Sequence, residues 1–255
     1  MISGAARVRS GHPKGLLLTA GLVVTWFVSL AELLGRSPHQ LSWWGLLLAV
    51  LIRTQLQTGL FIIAHDAMHG VLWPGRPRWN HVLGAGAISL YAALPYQRCR
   101  RKHQRHHSET ATCNDPDFPL DQRGGFWSWY RQFMAGYLSW SQMTRLLCGW
   151  GLLCLLFRPL NPAAWLSVLV FCTLPLLLSS LQLFVFGTYL PHRPQRWPAY
   201  QAEPVTLDLP VWLSLLACFH FGYHREHHDD PGLSWFELPA ARSHNRRLTL
   251  GAAVR

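Results

Sequence analysis

Histidines spaced three or four residues apart define the chemistry open to this chain. His65 and His69 stand in AHDAMHG, and His103, His106 and His107 in KHQRHH. His220, His224, His227 and His228 stand in FHFGYHREHH, and His192 is alone in TYLPHR. These are ten of the chain's 14 histidines. Imidazole titrates near neutral pH and is the commonest protein ligand for transition metals. On a helix, His65 and His69 lie about 40° apart around the axis. His103, His106 and His107 share an arc of about 100°, as do His220, His224, His227 and His228 if that stretch is helical. Each group therefore aims several ring nitrogens at one point.

The donor set argues for iron rather than structural zinc. Structural zinc takes four ligands, commonly including thiolates. The six cysteines here (Cys99, Cys113, Cys148, Cys154, Cys172 and Cys218) form no CxxC pair, and four of them sit in apolar surroundings. Nitrogen-rich sites with open coordination positions suit iron that handles oxygen. Two ions sharing about nine histidines is the economical reading, drawn from the clusters of His65 and His69, of His103, His106 and His107, and of His224, His227 and His228, with His192 either a further ligand or an ordinary residue level with them. His220 is either a further ligand or a partner of one. Carboxylates that could accept the second ring N–H of a ligating histidine lie in or beside the groups. They are Asp66, Glu109, Asp115, Asp117, Glu226, Asp229 and Asp230. His12, His39, His81 and His244 read as ordinary surface or interfacial residues.

Composition says what must position these groups. Of 255 residues, 50% are hydrophobic and only 14% charged. Soluble domains carry roughly 25% charged residues, so the chain reads as an all-α integral membrane protein. The 13 tryptophans suit a water–lipid boundary, a core or a ligand tunnel. The net charge of +11 lies between apolar runs and at the chain ends. A nucleic-acid reader would carry a soluble body with one basic face, so nucleic acid is not an expected partner.

Hydropathy predicts about four spans, near Leu16–Leu34, Trp43–His65, Tyr137–Phe157 and Ala163–Leu190. Arg53, Gln55 and Gln57 interrupt the second, and polar groups inside a span usually face protein or a cavity. His81–Tyr96 and Val211–Phe221 are too short to span and read as interfacial or re-entrant helices. Pro191–Pro210 holds five prolines and reads as a loop. The expected organisation is a basic segment over 1–15, a membrane domain over 16–239 and a mobile basic tail over 240–255. An N-terminus inside brings His65 and His192 back to the cytoplasmic side. Arg98, Arg100, Arg101, Lys102, Arg105, Arg242, Arg246 and Arg247 fall on that same side, in accord with the positive-inside rule.

HDAMH, HQRHH and HREHH together resemble the three histidine boxes of the membrane fatty acid desaturase and hydroxylase superfamily. The flanks FIIAHDAMHG (61–70), NDPDF (114–118), SSLQLFVFGTYLPH (179–192) and FHFGYHREHHDDPGLSWFELP (219–239) are similar to its bacterial β-carotene ketolase branch. The third box continues HHDDP, unlike the HHLFP-type ending common in acyl desaturases.

The resemblance implies a non-haem di-iron centre (Fe2+) on the cytoplasmic face of the bacterial inner membrane, with O2 as co-substrate. By box position the eight box histidines are its ligands. His192 matches the extra histidine after the last span, while His220 has no counterpart in the general box. The implied reaction oxidises carbon 4 of a carotenoid β-ionone ring, reached through an apolar tunnel from the bilayer. Two successive hydroxylations give a gem-diol that loses water, leading to canthaxanthin- or astaxanthin-type products. The sequence shows no flavin, nicotinamide or iron–sulfur fingerprint, so a ferredoxin-like external donor is expected. Arg98, Arg100, Arg101 and Arg105 could dock it. The alternatives are an acyl desaturase, a carotenoid ring hydroxylase and, more distantly, a histidine-rich metal transporter.

Overall fold

The computed structural model describes residues 13–119, 125–193 and 204–253, the last six by backbone alone. The predicted basic start before residue 13 and residues 194–203 of the predicted loop lie outside them. Ten helices account for the described fold: α1 (Pro13–Leu34), α2 (Trp43–His69), α3 (Pro77–Ala92), α4 (Tyr96–Ser108), α5 (Phe126–Tyr137), α6 (Trp140–Phe157), α7 (Ala164–His192), α8 (Val211–Cys218), α9 (His224–Asp229) and α10 (Leu238–Ala253). Among the described residues there is no strand, only one antiparallel bridge between Thr206 and Tyr223.

Three helices, α1, α2 and α7, are long and apolar enough to cross a membrane. Their outward apolar residues are exposed, among them Leu17, Val24, Trp43, Leu48, Trp165 and Leu177, as a lipid-facing surface requires. The fourth predicted span, near Tyr137–Phe157, does not join them. It is broken at Leu138–Ser139, and Ser139 caps α6 by accepting from the Gln142 N–H. Gln142 and Arg145 then dilute the first turn of α6. The turn after α6 does reach the C-terminal end of α1. Asn161 Nδ2 donates to the carbonyls of Leu34 (3.0 Å) and Arg36 (2.9 Å).

The polar residues inside α2 hold the bundle together. Arg53 is buried, over the Trp26 ring, and Nη1 donates to the Trp26 carbonyl (2.8 Å) and Ser29 Oγ (3.0 Å). Its Nε donates to the Phe171 carbonyl at 3.2 Å. That carbonyl would have bonded residue 175 in a regular helix, but Pro175 has no N–H. Leu169–Thr173 widens into a π turn at the same place. Gln57 accepts from Trp26 Nε1 (2.8 Å) and donates to the Tyr91 carbonyl. Gln55 and Gln182 donate to the carbonyls of Leu215 and Ala217 at the end of α8 (3.0 and 2.7 Å). Each amide thus satisfies backbone groups that the apolar interior would otherwise leave unpaired.

Helix α3 packs back along α2. Asn80 reaches the Ala67 carbonyl near one end, and the Tyr91 carbonyl meets Gln57 near the other. Gly84 makes this close approach possible. A Cβ there would lie 2.5 Å from the Ala67 Cβ and 2.6 Å from Tyr96 Cε2. Gly84→Val should therefore destabilise the fold by about 1–3 kcal/mol through overpacking. Thermal unfolding in detergent reads this, and an unchanged midpoint would contradict the packing.

Residues predicted to form a mobile tail are helical within α10, where Arg242 bonds Asp208 (2.5 Å) and lies 5.2 Å from the Tyr223 ring centroid.

Candidate metal centre and its apolar channel

The start of α1 and the ends of α2 and α7 meet at one end of the bundle, and all three histidine boxes lie there. Gly70, at φ 79°, stops α2 one residue past His69. Glycine tolerates that left-handed conformation without steric cost. Helix α4 then carries its box across the end of α2. A left-handed pair, Phe219 (φ 47°) and His220 (φ 66°), turns the chain from α8 towards α9. The bridge at Tyr223 and the bond from Tyr223 Oη to the Leu209 carbonyl (2.8 Å) fix where α9 begins.

The nine predicted ligands fall into two groups. His65, His69, His103, His107 and His227 form one, and His106, His192, His224 and His228 the other. Within each group the donor atoms lie within 4.8 Å of one another. The division alternates along the chain. In α4, His103 and His107 share a group while the intervening His106 turns to the other. In α9, His224 and His228 share a group while His227 turns away. Residues four apart share a helix face and neighbours diverge by about 100°, so each HxxHH box serves both groups. The rings of His107 and His228 stack at 4.2 Å between centroids and join the two.

The spacing of the Nε2 atoms fits metal coordination. His69–His103 and His192–His224 are 2.8 Å apart, His107–His227 3.0 Å, and His103–His107 and His224–His228 3.1 Å. Nitrogens about 2.1 Å from one ion at right angles are roughly 3.0 Å apart, whereas tetrahedral ones are roughly 3.4 Å apart. Burial, with neighbouring imidazoles adding to it, holds His103, His224 and His227 well below the usual histidine range and pushes His107 down to about 3. These rings are neutral at pH 7, as metal binding requires.

The other predicted residues separate by role. Asp115 Oδ1 accepts from His106 Nδ1 and from the Asp117 N–H, both at 2.9 Å, and Oδ2 accepts from the Ala111 N–H at 3.0 Å. Burial lowers the pKa of His106, but the Asp115 bond and the nearby Asp117 charge outweigh it, and the net shift is upward. Asp66 lies 3.7 Å from His65 Nδ1 and accepts from the Trp235 N–H. Asp117 pairs with Lys102 (2.9 Å) and Tyr137 (3.4 Å). Glu226 bonds Thr206 and faces Arg242. His220 joins neither group. It precedes α9 in the left-handed turn, so the single helical face expected for His220–His228 does not form. Its ring stacks on Tyr223 and Trp235 instead. Asp115→Ala should free the His106 ring and lower activity about 10–100-fold. Full activity in that variant would deny Asp115 its orienting role.

Two chambers lie beside this centre. A chamber of about 40 Å³ touches His65, His103, His106 and His224, with Asp117 and Thr188 in its wall. A larger chamber of about 260 Å³ adjoins it, and the two share Phe61, Phe133, Tyr137 and Leu183. The larger one extends to Leu138 and Leu177, which are exposed on the outer surface between α5–α6 and α7. Sequence reasoning did not identify α5 or these wall residues. The available signal was the aromatic periodicity of Phe126, Trp129, Tyr130, Phe133 and Tyr137.

Comparison with known proteins gives a consistent picture. Residues 41–253 match the fatty acid desaturase family. A β-carotene ketolase of Paracoccus sp. (strain PC1) is 41% identical over 88% of this chain and 90% of its own length. That of Paracoccus sp. (strain N81106 / MBIC 01143) is 38% identical over 89% and 92%. A zeaxanthin 4-ketolase of Chlamydomonas reinhardtii is 36% identical over 90% of this chain and 50% of its own length.

Proposed function

Because the chain belongs to the fatty acid desaturase family, we propose that it is a membrane-embedded β-carotene 4-ketolase, an oxygenase acting on the β-ionone ring. The observation that carries this reading is a pair of neighbouring chambers with a shared wall, one reaching the apolar outer surface at Leu138 and Leu177 and the other touching both imidazole groups. The ketolase relatives support the substrate.

The nine histidines would hold two non-haem irons, five imidazoles around one and four around the other. Bound there, the metal pair supplies dioxygen activation. The protein's own contribution is placement. Asp115 accepts the Nδ1 proton of His106 and so leaves the Nε2 lone pair facing its group. Phe61, Phe133 and Leu183 line the passage into the inner chamber and exclude water from it. They fix the ring so that carbon 4, whose C–H bonds are weakened by the adjacent double bond, lies against the centre. A misplacement of about 1 Å in such a site can cost about a hundredfold.

For each ring, one methylene, two dioxygen molecules, four electrons and four protons give one ketone and three waters. Two hydroxylations at carbon 4 form a gem-diol, which loses water. The electrons come from an external, ferredoxin-like donor. Arg98, Arg101 and Arg105, exposed on α4 beside the box of that helix, offer it a docking face. The gathering of every box at one end of the bundle and the positive-inside bias support a centre facing the cytoplasm from the bacterial inner membrane.

Expression in bacteria that make β-carotene is expected to shift the pigment towards red and to yield 4-keto carotenoids by chromatography. Unchanged pigment with folded, iron-loaded protein would contradict the reading, and altered acyl chains in the same cells would mark a desaturase.

A further inference from the structure

We propose that the two chambers together are also a complete site for a β-ring polyene alcohol about half the length of a carotenoid, and that the chain oxidises carbon 4 of that ring too. This rests on the ketolase reading. The ground is a polar atom in an otherwise apolar wall. Gln142 is 1% exposed and lines the chamber. Its Nε2 donates to the Ala92 carbonyl, while its Oε1 is buried without a hydrogen-bond partner. An unpaired buried acceptor is costly, and a ligand that brings a donor removes that cost. Ser180 in the same wall is engaged with Tyr130, and the Tyr91 carbonyl with Gln57.

The position of Gln142 sets the ligand's length. It bonds the residue after Tyr91, and Tyr91 is level with Gln57. Gln57 and His65 are eight residues apart on α2, about 12 Å along the axis. A β-ring at the histidine end would extend a straight polyene arm of four double bonds about that far. Its terminal hydroxyl would then meet Gln142 Oε1, beside the mouth at Leu138. A full-length carotenoid passes Gln142 as unbroken hydrocarbon and continues out of the mouth, so it leaves the acceptor unpaired. The short alcohol ends inside and donates to it. Its ring chemistry has the balance given above: dioxygen and donor electrons turn the ring methylene into a ketone and water, and the terminal hydroxyl is untouched.

The test uses all-trans-retinol and retinyl methyl ether, which differ in that one donor proton. Binding to the full-length protein in nanodiscs is read by energy transfer from tryptophan, Trp150 being in the chamber wall. Retinol is expected to bind about tenfold more tightly than the ether. Gln142→Leu should remove that preference. Membranes that ketolate β-carotene should also convert retinol to 4-oxoretinol. Equal binding of alcohol and ether by the unaltered protein would overturn the subsite, whether or not the variant folds. Retinol left unconverted by membranes active on β-carotene would overturn the added activity. If β-carotene itself is not ketolated, the ketolase reading fails, and the binding comparison still decides the role of Gln142.

Discussion

His227→Ala and His106→Ala are each expected to abolish ketolation, by a hundredfold or more, while each removes only one of two irons. His227 is the third-box residue that crosses to the five-imidazole group, and His106 is the second-box residue that crosses to the four-imidazole group. Each lies at the point where a box changes sides, so each variant weakens one group and spares the other. Loss of even an orienting partner commonly costs about 10–100-fold in metal affinity or activity, and loss of a ligand should exceed that. Both side chains are nearly fully buried at the end of the bundle, away from the lipid-facing surface, so membrane insertion should persist. Metal analysis of the purified variants beside pigment analysis checks this. An active variant, or one that loses both irons together, would contradict the division into five and four.

Blocking the channel should have a comparable effect on product with none on the metal. Leu183 is buried and borders both chambers. Leu183→Trp places an indole where the ring must pass. The expected result is a fall of more than about tenfold in ketolation, at an overpacking cost of about 1–3 kcal/mol. Iron content should be unchanged, because no ligand is displaced. Leu183→Ala, which widens the passage, should retain substantial activity. Wild-type turnover in the tryptophan variant would place the substrate path elsewhere. The two experiments separate the centre from its access route: one removes iron and activity together, the other activity alone.

Much of the candidate site was legible because its histidines are a rare residue type at helical spacing. The three boxes, and His192 at the end of the last span, are all found in the two groups. The sorting into groups was not legible from spacing alone, since an arc of about 100° around one helix does not say whether it faces one ion or two. Only the crossing of α2, α4, α7 and α9 decides it. His220 shows the limit of the helical assumption, because the chain turns left-handed at Phe219 and His220 before α9 begins.

The fold was legible to a similar degree. Long apolar runs gave α1, α2 and α7. Arg53 was legible as a polar residue needing a protein partner, but its partner, a carbonyl deprived of its donor by Pro175, belongs to a helix more than a hundred residues away. The α5–α6 region was the least legible. Its aromatic residues are split between buried or half-buried rings such as Trp129, Phe133 and Tyr137 and the exposed Trp127 and Trp140, so total hydropathy carried no clear mark of where one helix stops and the next starts.

Iron per chain in purified, catalytically competent protein tests the central claim most directly. The account predicts about two irons per chain, rising and falling in step with ketolase activity. Active protein containing no iron, or a single metal at full activity, would contradict it.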